Sequence, residues 1–128
     1  MTARAENFLY DRPYLDDTIK RLVAFEEVGA DVLYAPGLPS LEAIQEVCSA
    51  LTKPVNVVMG LTRPKLSLEQ LKEAGVKRVS VGGSFARAAL GGFMRAAEKV
   101  MNEGTFNYAD DAVPDPVAAS YMSHEKRD

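Results

Sequence analysis

Arg4 and Glu6 stand two residues apart in the alternating stretch Thr2-Ala3-Arg4-Ala5-Glu6. In an extended strand this spacing puts Thr2, Arg4 and Glu6 on one face and the two alanines on the other. Alanines suit packing beneath a helix, so the arginine points toward the interior of the fold, where a guanidinium needs a carboxylate or another anion. The chemistry open to it is capture of a small carboxylate. Two other readings stand beside that one: a solvated charge on a frayed N-terminus, and a structural pair with Glu6.

Asn56 interrupts the apolar run from Pro54 to Met59. A buried amide needs hydrogen-bond partners, which either a substrate or a neighbouring loop can supply. Gly82-Gly83-Ser84 leads from a predicted strand into a predicted helix, where backbone N–H groups at the positive end of the helix could cradle an anion. The same glycines would also let the chain turn tightly, with Ser84 as a simple helix cap. Tyr34 offers a hydroxyl to a ligand or a ring to the core, and Arg87, one turn into the helix, a charge to an anion site or to a surface salt bridge. The candidate substrate-binding set is therefore Arg4, Asn56, Gly82, Gly83 and Ser84. No catalytic residue and no metal ligand is assigned. Glu6 is the only acid at the C-terminal end of a predicted strand, Asp31 opens its strand, and the sequence has no Cys/His cluster, nucleophile elbow or Gly-x-x-x-x-Gly-Lys loop. His124, in the polar tail, is given no role.

The elements that must position these residues are announced by an internal echo. The segment from Glu73 to Gly83 repeats the layout of Glu27 to Gly37: a helix ending in Gly, a short apolar strand, then another Gly. Matching glycines lie 46 residues apart, 29 to 75 and 37 to 83, long enough for two strand-plus-helix units. The reading along the chain is a strand at Thr2–Glu6, a loop from Asn7 to Tyr14, and a helix from about Asp16 with Asp16 or Asp17 as N-cap. That helix carries Ile19, Leu22, Val23 and Val28 as its apolar stripe and ends at Gly29. Strands follow at Asp31–Ala35, Pro54–Met59 and Arg78–Val81. Ser40 caps a second helix, Ser67 and Gln70 form a capping box for a third, and a long helix runs from Ser84 to Asn102 or Glu103. Residues Asp110 to Asp115 read as a linker, and Pro116 to about Met122 as a short terminal helix.

Alternating strands and helices demand a parallel sheet with helices outside, and a closed solution is a (β/α)8 barrel of about 250 residues. At 128 residues the expected fold is α/β, half of such a barrel, with four parallel strands, four main helices and an appended one. Residues 1–112 form the half-barrel, and residues 113–128 a linker and terminal helix or tail. Four strands leave two free edges, at the strands of Arg4 and Val79, and two copies could close an eight-stranded barrel. In a barrel the working residues sit at the C-terminal ends of the strands, which is where the candidate set falls.

Composition narrows the classes. The chain is 47% hydrophobic and 26% charged with net charge −3, ordinary for a folded soluble domain and without the basic stripe that nucleic-acid binding requires. The single Cys48 reads as a buried thiol in a reducing compartment. No apolar run approaches the roughly 18 residues of a membrane span, and no signal pattern opens the chain. Cytoplasmic localisation is the expectation.

Taken in order, Ala3-Arg4-Ala5-Glu6, Gly29 to Gly37, Lys53-Pro54-Val55-Asn56-Val57, Gly75 to Gly82, Ala86-Arg87-Ala88-Ala89 and Glu103-Gly104-Thr105-Phe106 resemble the C-terminal half of the isocitrate lyase / phosphoenolpyruvate mutase superfamily. The resemblance implies a (β/α)8 barrel that cleaves or forms C–C or P–C bonds in small 2-oxo and hydroxy acids, with Mg²⁺ and an enolate-like intermediate. Methylisocitrate lyases, oxaloacetate decarboxylases and phosphonopyruvate-processing enzymes are examples. It further implies that Arg4 binds a substrate carboxylate and that Asn56 helps hold the substrate. The lyase branch often has a glutamate where this chain has Pro36-Gly37, a departure that leaves the substrate open. The superfamily's metal-binding acids and mobile catalytic loop come from the first half of the barrel, and its tetramers exchange a last helix, whose place Pro116 to Met122 takes. Two functions follow. One is the C-terminal part of a Mg²⁺-dependent lyase or phosphonomutase completed by a missing N-terminal half or a second chain. The other is a catalytically inactive half-barrel that binds small carboxylates or serves only as an oligomeric scaffold.

Overall fold

The computed structural model describes residues 1–61 and 64–122; His124 lies outside the described residues. Strand and helix alternate along it: β1 (Thr2–Arg4), α1 (Leu15–Glu27), β2 (Val32–Tyr34), α2 (Leu41–Ala50), β3 (Val55–Val58), α3 (Leu68–Glu73), β4 (Arg78–Ser80), α4 (Ser84–Glu103) and α5 (Asp115–Met122), with 3-10 turns at Asn7–Tyr10 and Asn107–Asp111. The internal echo is visible in hydrogen bonds. Gly29 N–H donates to the carbonyl of Glu26 and Ala30 N–H to that of Phe25, each at 3.0 Å, and Gly75 and Val76 repeat the pair onto Lys72 and Leu71 at 3.0 Å. This double bond satisfies carbonyls at the helix end and needs a left-handed residue after the cap, met by φ of +96° at Gly29 and +93° at Gly75. At the N-terminus of α2, Ser40 Oγ accepts from Ala43 N–H at 3.2 Å. Ser67 and Gln70 close their reciprocal box with bonds of 3.1 and 2.9 Å.

The chain divides into two compact units, Met1–Phe85 and the residues from Ala86 on. In the first, the four strands form one parallel sheet in the order β1-β2-β3-β4. Register pairs Ala3 with Leu33, Leu33 with Val55, and Val57 with Val79. These residues therefore share one face. Against it pack Leu22 of α1, Ile44 and Val47 of α2 and Leu71 of α3, and with Leu33 these side chains are at most 1% exposed. Burying each such side chain contributes about 1.5–3 kcal/mol, so the helix-covered face holds the fold together. The opposite face carries Arg4, Tyr34, Asn56 and Arg78 in register. Arg78 Nη1 donates to Thr2 Oγ1 at 3.4 Å across that face. In a flat sheet their strands would stand three spacings apart, about 14 Å; the meeting of the two side chains reflects a sheet curled as an arc of a barrel.

The expected half-barrel is thus the observed one, with local corrections. The strands are shorter than expected, although single inter-strand bonds from Ala5 N–H to the Tyr34 carbonyl and from Met59 N–H to the Ser80 carbonyl extend past the ends of β1 and β3. Tyr14, with no side-chain cap, holds the N-cap position of α1 rather than Asp16 or Asp17. Asp17 is engaged elsewhere, accepting from Asn7 Nδ2 at 2.6 Å and Arg21 Nε at 2.7 Å. Val28, expected in the apolar stripe, is 79% exposed because it falls at the C-cap, past the last helical turn. In the second unit α4 runs to Glu103 and ends at Gly104, whose N–H bonds the Val100 carbonyl at 3.1 Å, and α5 starts one residue before the expected Pro116.

Two outcomes are expected from this packing. Replacement Ile44→Ala should lower stability by about 2–5 kcal/mol in urea unfolding, whereas Val28→Ala should stay within about 0.5 kcal/mol; equal losses would contradict the placement of the core. The second concerns Glu26, whose carboxylate accepts from Thr52 Oγ1 at 2.8 Å and from the N–H groups of Thr52 and Lys53 at 3.0 and 2.5 Å. The Thr52 hydroxyl, followed by these backbone donors, lowers its pKa below 4.5. Because the folded value is depressed, the stability it contributes is complete above about pH 4.5 and is lost as pH falls through the folded pKa. NMR titration should place Glu26 below 4.5 and Thr52→Val should raise it; an unchanged midpoint in that variant would refute the clamp.

Candidate functional site

The inner face of the sheet carries two polar groups of side chains. On β1 and β2, Arg4 Nη2 meets Glu6 Oε1 at 2.6 Å, with the two side chains 49% and 35% exposed. The guanidinium carbon lies 5.0 Å from the centroid of the Tyr34 ring, within range for a cation–π contact. Register explains the stack, since Arg4 and Tyr34 are cross-strand partners. Arg4 is thus pinned from two sides, by a carboxylate and by a ring, while half of it remains open to solvent. Burial pushes the Tyr34 phenol above its usual 10.0, with Arg4 pulling it down and Glu6 pushing it up; it stays a neutral hydrogen-bonding group near neutral pH.

On β3 and β4, Asn56 is 3% exposed and its Nδ2 donates to Ser80 Oγ at 3.1 Å. Its Oδ1 is buried and has no partner among the described residues. An unmatched buried acceptor costs about 1–3 kcal/mol, and nothing among the described residues offsets that cost. Asn56 is the register partner of Tyr34, which sets the unmatched amide one strand over from the arginine stack.

The turn after β4 forms a third feature. Ser84, 8% exposed, is the first residue of α4, and its N–H bonds the Val81 carbonyl at 3.0 Å. It lies so close to Gly60, at the end of β3, that a Cβ on that glycine would come within 2.6 Å of the serine side chain. Gly60 also has φ of +128°, so a side chain there is excluded twice over. Around Gly82 and Gly83, by contrast, an added Cβ would meet nothing within 4 Å.

Of the residues proposed from sequence, the fold therefore groups Arg4 with Glu6 and Tyr34, and Asn56 with Ser80. Ser84 packs on Gly60, while Gly82 and Gly83 line open space. The pair of Arg4 with Glu6 is one of the structural readings considered above, now seen in place; Asn56 bonds Ser80 on the adjacent strand β4 rather than a neighbouring loop. The Tyr34 stack and the choice of Ser80 as amide partner went unread in the sequence, because both depend on strand register; the strand alternation of Arg4 and Glu6 was the nearest available signal. Mg²⁺ does not fit what is here. Among the described residues no group of three or more His, Cys, Asp or Glu converges as a metal site, and Glu6 is already turned onto Arg4. No helix among the described residues is long and apolar enough to cross a membrane.

Comparison with known proteins agrees with this fold. Residues 1–101 match the family model for phosphoenolpyruvate phosphomutase. A 2-methylisocitrate lyase of Aeropyrum pernix is 27% identical over 92 residues, which are 70% of this chain and 30% of the relative. The crystal structure of a candidate lyase/mutase from Burkholderia cenocepacia J2315 superposes with a TM-score of 0.90 at 52% identity, covering 97% of this chain and 45% of that one. The fold is shared at lower identity with 2,3-dimethylmalate lyase, a PEP mutase/isocitrate lyase superfamily member (TM-score 0.73, 23% identity, 92% of this chain and 42% of that one). The chain spans less than half the length of these relatives. With a curled parallel sheet, α1, α2 and α3 packed on one face, and a family match over residues 1–101, the chain belongs to the phosphoenolpyruvate phosphomutase family.

Proposed function

We propose that this chain is the carboxylate-binding C-terminal half of a Mg²⁺-dependent enzyme of the lyase/phosphonomutase type, acting on small 2-oxo or hydroxy carboxylic acids by C–C bond cleavage. The observation that carries the reading is the half-exposed Arg4 stacked on Tyr34, with the buried, unmatched Oδ1 of Asn56 on the strand next to Tyr34. A guanidinium offers five N–H donors, of which Glu6 engages only part. A substrate carboxylate takes the remaining fork, in competition with Glu6, and Asn56 Oδ1 accepts from a substrate hydroxyl. That pairing of a carboxylate site with a hydrogen-bond acceptor suits a hydroxy acid, and the 2-methylisocitrate and 2,3-dimethylmalate named for the relatives are of this kind. Gly82, Gly83 and Ser84 border the substrate through the open backbone of their turn.

The Mg²⁺ belongs to residues outside the described stretch, since those within it do not form a site. The rest of the barrel, from further polypeptide or from a second chain, covers the inner face and pairs with the outer edges of β1 and β4. The exposed Val117, Tyr121 and Met122 of α5 support assembly into a homo-oligomer, with a cytoplasmic enzyme as the product. A second reading, the catalytically inactive half-barrel, draws on one observation: Glu6 already balances the charge of Arg4 without a ligand.

Calorimetric titration with malate or oxaloacetate tests the reading. Arg4→Gln should weaken binding at least about tenfold, as loss of a charge-assisted pair predicts, and Glu6→Gln should strengthen it by removing the competitor. Binding unchanged in Arg4→Gln would remove the carboxylate role, and Mg²⁺-dependent turnover by the isolated chain would remove the inactive reading.

A further inference from the structure

A second polar cleft, of about 460 Å³, opens beside this group and is lined by Glu6, Asn7, Tyr10, Arg12 and Arg21. Its acids are already matched. Glu6 is held by Arg4 at 2.6 Å, and Asp17, which flanks the cleft, accepts from Arg21 Nε and from Asn7 Nδ2. Those two bonds, Arg21 first, keep the Asp17 carboxyl below its usual 3.8. The donors are not matched. Arg21 spends only Nε on Asp17, and among the described residues its terminal nitrogens, the whole Arg12 guanidinium and the Tyr10 hydroxyl make no hydrogen bond. The cleft is therefore rich in free donors and carries uncompensated positive charge, with Arg12 as the surplus.

One buried residue organises both arginines. Asn7, 8% exposed, uses its side chain to fix Asp17 and through it Arg21. Its carbonyl accepts the N–H groups of Asp11 and Arg12, the latter at 3.0 Å. The double bond turns the chain so tightly that Asp11 sits at φ +54°, a left-handed conformation uncommon outside glycine, and this turn brings Arg12 into the cleft beside Arg21. Two planar guanidinium forks bordering one cavity, Arg21 fixed on Asp17 and Arg12 carried there by the turn, match the oxygens of a carboxylate or a phosphoryl group.

We propose that Tyr10, Arg12 and Arg21, oriented by Asn7, form a second oxyanion site beside the Arg4 group, taking a carboxylate or phosphoryl oxyanion. The site is distinct from the Arg4 carboxylate site and does not rest on it. The test follows inorganic phosphate and, separately, malate by calorimetry and by the Nε–H NMR signals of the arginines, in the full chain and in Arg12→Gln and Arg4→Gln. Arg12 is exposed and without side-chain bonds, so its replacement leaves the fold intact. Phosphate should shift the Arg12 and Arg21 signals, and Arg12→Gln should weaken it about tenfold, whereas Arg4→Gln, which only frees Glu6 in the cleft wall, should weaken it less. If Arg12→Gln also weakens malate, the site receives the second acid group of the same substrate; if it weakens phosphate alone, the site takes a separate anion. Phosphate that fails to bind, or binds equally to Arg12→Gln, overturns the proposal. Phosphate lost only in Arg4→Gln overturns it too, while leaving the carboxylate reading in place.

Discussion

A parallel sheet is stable when both of its faces are covered, and in this chain the helices cover one. Leu33, Val55 and Val57 are sealed beneath α1, α2 and α3, whereas on the other face Arg4 is exposed and Tyr34 and Ser80 are only partly buried. The split follows from strand periodicity: each residue turned toward the helices turns its neighbour away. Function and stability are thereby segregated by parity along every strand. The apolar parity supplies the core, and the other parity is free to carry an arginine, a tyrosine, an asparagine and a serine.

That segregation makes sense of the polar residues as a set. Arg4 would be costly beneath a helix, but on the concave face it rests on Tyr34 and against Glu6. Asn56 is the exception, buried although it lies on the open face, with Ser80 meeting one end of its amide and nothing meeting the other. The close approach of Ser84 to Gly60 locks the ends of β3 and β4 together, which holds the strand that carries Asn56. Relatives more than twice as long have the chain length to supply the second cover that the inner face of this sheet needs.

Much of the fold is legible in the sequence because its signals are local. Gly29 and Gly75 mark the same helix-ending turn, Ser67 and Gln70 close a box three residues apart, and the alternation of β3 follows from Val55, Asn56 and Val57. What could not be read are contacts whose partners are far apart in sequence. The stack of Arg4 on Tyr34 spans 30 residues, the bond from Asn56 to Ser80 spans 24, and that from Arg78 to Thr2 spans 76; each depends on register and curvature rather than on any nearby pattern. Asp17 shows the converse error. Its position suits a cap, but Asn7 and Arg21 compete for its carboxylate and win.

The central claim is that the inner face binds a small carboxylic acid through Arg4 and Asn56 acting on one molecule. The most direct measurement is the side-chain NMR spectrum of the chain, following Arg4 Nε–H and the Asn56 amide protons together as a hydroxy acid such as malate is added. The account predicts that both signals move along one saturation curve with a single dissociation constant. Movement of Arg4 alone, or of neither, would contradict it, and would leave Asn56 a strand-to-strand bond and Arg4 a partner of Glu6.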